Sequence, residues 1–258
     1  MTNVKTPEEI KSMREGGHIL AEILHELAIS TKIGMSTAEL DVKAEALMGK
    51  YNVAPSFKHY HGYPASICTS INEGVVHGIP GKRTLNDGDI ITIDCGVFHK
   101  GLHTDAAVTI MLGNVKPEVK KFVDTVQKSL EKAVGLIKPG VTVGDIGFAI
   151  QSLVESNGYS VVRDFTGHGV GRELHEPPEI CNFGKKGKGA LLVPGMTIAI
   201  EPIIAMGARF IDIMKDTWTA VTRDGSPACQ VEHTLVVTPS GCEVLTAYNN
   251  NINCIYQQ

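Results

Sequence analysis

The sequence lacks several features that would settle its class at once. No two of its six cysteines, at 68, 95, 181, 229, 242 and 254, are spaced as CxxC, so neither a zinc knuckle nor a dithiol redox motif can be read. Scattered in a chain of 258 residues, they read as reduced side chains in the core or near a site. No run approaches the 18 apolar residues that suggest a membrane span. The N-terminal MTNVKTPEEIKSMREGG has no apolar stretch of the secretory kind. A cytoplasmic protein without a membrane segment is expected. Positive charge is not in excess either: 24 Lys and Arg against 28 Asp and Glu leave a net charge of −4. No basic stripe marks a nucleic-acid footprint, and the one cationic run, Lys185, Lys186 and Lys188 among glycines, reads as a solvated loop.

What is present is an ordinary globular composition, 43% hydrophobic and 20% charged, with enough length for a sizeable core. No linker or low-complexity stretch divides it, so a single domain over 1–258 is expected. Four helices can be placed. The first follows Thr6-Pro7-Glu8-Glu9, where a threonine N-cap, a proline at the first helical position and a glutamate at N3 form a capping box. The second opens at Ser36 with Glu39 three residues on and runs to about Tyr51. The third runs from Pro117 to about Ile137. The fourth opens at Thr142 with Asp145 at N3 and ends at Gly158.

Two junctions repeat. KIGMSTAEL (32–40) matches KPGVTVGDI (138–146) at an offset of 106, and GDIITID (88–94) matches GMTIAIE (195–201) at 107. Each half reads as two helices followed by strands, the first buried strand ending in a carboxylate. The duplication implies an α+β architecture, with helices on one face of a mainly antiparallel sheet. A ligand site is then expected between the halves, where acids from both could meet.

The acids come next. Asp94 ends the apolar strand DIITID, and Asp105 lies in HTDAAVTIM beyond a turn at His99-Lys100-Gly101. If His99-Lys100 form the loop, Asp94 pairs with Asp105 directly; if Lys100-Gly101 do, the two stand one diagonal step apart. Either register leaves the Cβ atoms roughly 5–8 Å apart. Glu201 ends MTIAIE, and Glu232 lies in ACQVEHTLVV. Four carboxylates in hydrophobic β sequence need partners, and lysines and arginines are sparse nearby, with Arg209 and Arg223 in turns. Divalent cations are the economical partner. One nitrogen ligand can come from FTGHGVGRELHEPP (165–178), where glycine and proline forbid a helix and His168 sits between glycines that let the backbone approach closely. The candidate ligands are therefore Asp94, Asp105, His168, Glu201 and Glu232. That set is too rich in oxygen for one structural zinc. It suits two divalent ions that activate a shared water, and its donors favour manganese or iron(II), with cobalt also plausible.

With these residues in place the chain resembles the bacterial type of methionine aminopeptidase along nearly its full length. The matching motifs are SINEGVVHGIPG (70–81), GDIITIDCG (88–96), HTDAAVTI (103–110), TGHGVGRELHEPP (166–178), MTIAIEP (196–202) and QVEHTLVVT (230–238). The resemblance implies a pita-bread fold of two pseudo-twofold halves, with helices packed on a curved sheet. It implies the same five ligands, Asp105 and Glu232 bridging two ions (cobalt, manganese, iron(II) or zinc). It adds His77 and His175 as catalytic residues that bind substrate and are not ligands, with Glu201 as the proton carrier. It places Tyr60, Tyr63, Cys68, Leu174 and Trp218 around the methionine side chain. Leu174 stands where many relatives have phenylalanine, and Phe57 where cysteine is common. The implied activity is removal of the initiator methionine from peptide and nascent-chain N-termini when the second residue is small. The implied enzyme is a cytoplasmic monomer near the ribosome, with no membrane or nucleic-acid partner. An Xaa-Pro dipeptidase or aminopeptidase of the same fold, usually preceded by a large extra domain, and a non-catalytic peptide-binding relative are the alternatives. A dinuclear-metal phosphatase, which usually has more histidine ligands, stands further off.

Overall fold

In the computed structural model residues 4–258 are described, so the expected domain span starts three residues before them. Helices α1 (Pro7–Ser30), α2 (Thr37–Tyr51), α3 (Pro117–Val134) and α4 (Val143–Ser156) begin where the sequence places them. Thr6, Ser36 and Thr142 cap α1, α2 and α4, each through a reciprocal capping box with the acid at N3. Helix α3 is shorter than expected. It stops at Val134, before Gly135, a residue that stabilises helix poorly. Gly158, at φ 84°, supplies the left-handed residue after α4.

The strands are β1 (Ala54–Pro55), β2 (Ile67–Ile71), β3 (Ile90–His99), β4 (Leu102–Met111), β5 (Ser160–Val161), β6 (Gly167–Gly169), β7 (Glu176–Ile180) and β8 (Thr197–Ile200). They continue as β9 (Ile203–Ala205), β10 (Ile211–Ile213), β11 (Ala220–Thr222), β12 (Ala228–Gln230), β13 (Glu232–Val237), β14 (Cys242–Val244) and β15 (Ile255–Gln257). The main sheet runs β1-β3-β4-β13-β8-β6-β7, with β2 also on β3. Its pairings are antiparallel, except that β15 lies parallel to β4. The middle of this order carries the duplication. Strands β3 and β4 come from the first half, β13 and β8 from the second, and β4 meets β13 at the centre.

The β3–β4 hairpin turns on Lys100-Gly101, because His99 pairs with Leu102. Both turn residues have positive φ, 50° and 84°, as a two-residue type I′ loop requires. Of the two registers open from sequence, the diagonal one is realised: Asp94 faces Ala107, and Gly96 faces Asp105. Side chains two apart share a face, so Asp94 and Asp105 point the same way. Glu232 also pairs with Ala107, which puts it on that face. His233 pairs with Ile200, so Glu201 comes opposite Glu232.

The sheet's other side and the helices close one large core. It includes Leu20, Ile23 and Leu27 of α1, Phe122 and Val126 of α3, and Ile91, Ile93 and Ile110 of the sheet, all fully buried. Each such side chain contributes roughly 1.5–3 kcal/mol by leaving water. The rigid sheet is what holds the acids in register. The six cysteines are free, and four of them are buried. Among the described residues no helix is long and apolar enough to cross a membrane. Lys185, Lys186 and Lys188 are exposed, as a solvated loop should be.

Candidate active site

One acid comes from each of four neighbouring strands: Asp94 from β3, Asp105 from β4, Glu232 from β13 and Glu201 just after β8. His168, on β6 beside β8, completes the row. All five are buried, none more than 8% exposed. The glycines around His168 serve the packing: a Cβ on Gly167 would run into the Ala199 carbonyl, and one on Gly169 into those of Pro177 and Glu176.

Burial sets the electrostatics. It pushes the Asp94 carboxyl up to about 7. It also raises Asp105, Glu201 and Glu232 well above the usual carboxylate range, and the neighbouring acids push each of these further. Among the described residues no lysine or arginine forms an ion pair with any of the four. Asp94 Oδ1, Asp105 Oδ1 and Glu232 Oε1 are buried without a hydrogen-bond partner. Buried charge without a counter-charge is costly, and orphaned carboxylate oxygens are what a hard cation binds. Ligand atoms of Asp105, His168 and Glu232 lie within 4.8 Å of one another. Glu201 Oε1 is 3.6 Å from His168 Nε2. His168 donates Nδ1–H to the Gly169 carbonyl at 2.9 Å, so its Nε2 keeps the lone pair a metal needs. Burial also holds His168 neutral, lowered to about 3. The donor set fits divalent metal ions.

These residues floor a pocket. Its walls hold Phe57, Tyr60, Tyr63, Cys68, Leu174 and Trp218, with His77 and His175 beside them. Every residue expected at the site is therefore found in one cavity. Phe57 and Leu174, the two departures from the resemblance, pack in the same cluster. Tyr63 anchors that wall, donating to the carbonyls of Ile67 and Gly78 at 3.1 Å each, while Trp218 stands edge-on to it at 5.1 Å. Burial raises the Cys68 thiol well above its usual range, so it acts as a soft apolar wall. His77 adopts the left-handed region, φ 59°, which a non-glycine residue holds only under tertiary constraint. His175 sits at the mouth, more exposed, with its ring 4.3 Å from that of His168.

Sequence reasoning missed three supports. The Gln230 side-chain amide donates to Glu201 at 3.1 Å. The Thr234 hydroxyl accepts from Asp105 N and donates to Asp105 O. Buried Asn182 donates to the Glu201 carbonyl at 2.7 Å. Gln230 had a signal, since a polar residue two before Glu232 shares its face.

The profile of metallopeptidase family M24 matches residues 11–239. The chain belongs to this family. Within it the chain is of the bacterial methionine aminopeptidase type. It is 46% identical over 242 residues to methionine aminopeptidase 1 of Bacillus subtilis, a match covering 94% of this chain and 98% of that one. The structure superposes on methionine aminopeptidase from Thermotoga maritima with a TM-score of 0.94 at 43% identity, covering 95% of this chain and 99% of that one. The prolidase of Pyrococcus horikoshii shares the fold, with a TM-score of 0.77 at 24% identity, covering 95% of this chain but 63% of the prolidase. The pita-bread fold expected from the sequence is thus the fold observed.

Proposed function

We propose that this M24 chain is a metallo-aminopeptidase that removes the initiator methionine from peptides and nascent chains whose second residue is small. The observation that carries the reading is the meeting of four buried carboxylates, without a lysine or arginine partner among the described residues, with His168 at the floor of a pocket walled by aromatic rings and the Cys68 sulfur. Asp94, Asp105, His168, Glu201 and Glu232 would together hold two divalent ions, cobalt, manganese, iron(II) or zinc. Such ions supply an acidified water and an anchor for a free α-amino group when bound.

The chain's own residues do the rest. Tyr60, Tyr63, Cys68, Leu174, Trp218 and Phe57 take the methionine side chain, whose thioether suits sulfur and aromatic walls. The Glu201 carboxylate takes a proton as the water oxygen bonds to the carbonyl carbon. As the C–N bond breaks, Glu201 returns that proton to the leaving amine. His175 donates a hydrogen bond to the oxyanion that develops. His77 holds the next amide in place. Its burial lowers it to about 4, so at neutral pH it acts as an uncharged partner. The enzyme works as a cytoplasmic single-domain monomer on N-termini, within reach of chains leaving the ribosome.

The test is a reconstitution series. Metal-free protein should not cleave Met-Ala-Ser, and adding single divalent metals should restore cleavage. Activity that survives thorough chelation, or faster cleavage of Ala-Pro peptides, would overturn the reading.

A further inference from the structure

The reaction asks opposite things of two histidines that touch. His168 must offer a lone pair, and His175 must offer an N–H. On a neutral imidazole the proton's place is set by the group facing the other nitrogen. Facing His168 Nδ1 is the Gly169 carbonyl. A carbonyl can only accept, so Nδ1 carries the hydrogen there. Facing His175 Nδ1, at 2.8 Å, is the Tyr60 hydroxyl. A hydroxyl can donate, and a donor on Nδ1 puts the imidazole hydrogen on Nε2. Among the described residues neither Tyr60 Oη nor either ring nitrogen of His175 has another hydrogen-bond partner. Nε2 is thus left to the substrate.

The backbone around Tyr60 serves this contact. The short turn Tyr60–Gly62 is framed by positive φ values at His59 (71°), His61 (47°) and Gly62 (89°). Non-glycine residues hold such values only where the surroundings enforce them, and such constraint gathers at functional sites. On the other side, Glu176, next to His175, is anchored by a buried ion pair with Lys5 at 2.7 Å. The bond therefore joins two tethered segments 115 residues apart in sequence.

We propose that Tyr60 is a positioning residue for His175: its hydroxyl donates to Nδ1, fixes the Nε2–H tautomer and holds the ring at the pocket mouth. This rests on the reading of His175 as the oxyanion donor. It adds to the place of Tyr60 in the pocket wall, because the ring lines the cavity while the hydroxyl bonds His175.

The test is Tyr60→Phe, which removes one oxygen and keeps the ring. Long-range ¹⁵N–¹H NMR on the metal-free protein should show His175 as the Nε2–H tautomer in the parent and as a mixture in the variant. On metal-loaded protein with Met-Ala-Ser, kcat should fall roughly tenfold with KM within about twofold. In a His175→Ala background, Tyr60→Phe should change nothing further. An unchanged tautomer, a further loss in the double variant, or a KM rise at constant kcat would each overturn the proposal. If Tyr60→Phe alone is silent, the proposal falls and the oxyanion reading stands. If His175→Ala leaves kcat intact, both fall.

Discussion

The Gln230 amide donates to Glu201 Oε2 at 3.1 Å, and the same nitrogen stands 3.4 Å from Glu232 Oε2 and 3.5 Å from Asp94 Oδ2. One donor therefore faces three of the four buried acids and fixes the directions in which their remaining oxygens point. Groups that orient ligands in this way typically account for ~10–100-fold in metal affinity. Gln230→Met keeps the length and loses the donor. Its dissociation constant for a first manganese ion, read by titration calorimetry on metal-free protein, should rise by a factor in that range. An unchanged constant would reduce Gln230 to filler.

Glu201 carries the proton in the proposed reaction, and that role separates from holding the fold. Glu201→Gln is isosteric and still accepts the Gln230 hydrogen bond through its amide oxygen. Turnover of Met-Ala-Ser should fall by roughly 10²–10⁴, the usual span for losing a general acid–base. Binding of a non-cleavable methionyl peptide should persist. A rate near that of the parent protein would remove Glu201 from the proton path.

The four acids were legible in the sequence because each sits in a strand that is otherwise apolar, where a solvated surface charge makes no sense. The two halves were legible because caps and K-x-G turns are local and repeat. Sequence alone leaves the hairpin register open between two loops. Lys100 and Gly101 decide it by accepting positive φ together, a preference that only the backbone reveals for a lysine. The supports were less visible. Thr234 meets Asp105 across β13 and β4, and Tyr60 meets His175 across 115 residues. Such pairs carry no spacing rule, since the register of distant strands decides them. The sequence pattern overshoots the end of α3, because Leu136 and Ile137 continue the apolar pattern after the helix has stopped at Val134.

Lys5 and Glu176 form an ion pair with side chains only 0% and 2% exposed. It ties the segment before α1 to the loop that carries His175, and a Cβ on Gly171 would strike the Lys5 side chain. Removing one partner strands the other charge out of water, at a cost of about 3–5 kcal/mol. Lys5→Met should therefore lower Tm by roughly 6–20 °C in a chain of this size. Lys5→Met with Glu176→Leu should recover most of that loss, because an apolar pair needs no counter-charge. A double variant as unstable as the single would mean that the two charges do not act as a pair.

His77 lets the stability of the site be read through pH. Burial, and then the neighbouring His175, lowers it from 6.5 to about 4. Between those values the unfolded chain binds a proton that the folded chain refuses. Stability from this residue is then fully present above about 6.5 and is lost as pH falls toward 4, because stability rises with pH wherever the unfolded state holds more protons. At pH 5 the loss amounts to about 2 kcal/mol relative to pH 7. Buried His168 and His233 are lowered too, so the total pH slope cannot be assigned to one ring. The difference from a variant can. His77→Asn removes the titration and tolerates the φ of 59°. Urea unfolding at pH 7 and pH 5 should show the parent losing about 2 kcal/mol more than the variant. A ring with an NMR titration midpoint near 6.5 would give no such difference. It would also mean that His77 meets the substrate amide as a partly charged group on the acid side of neutrality.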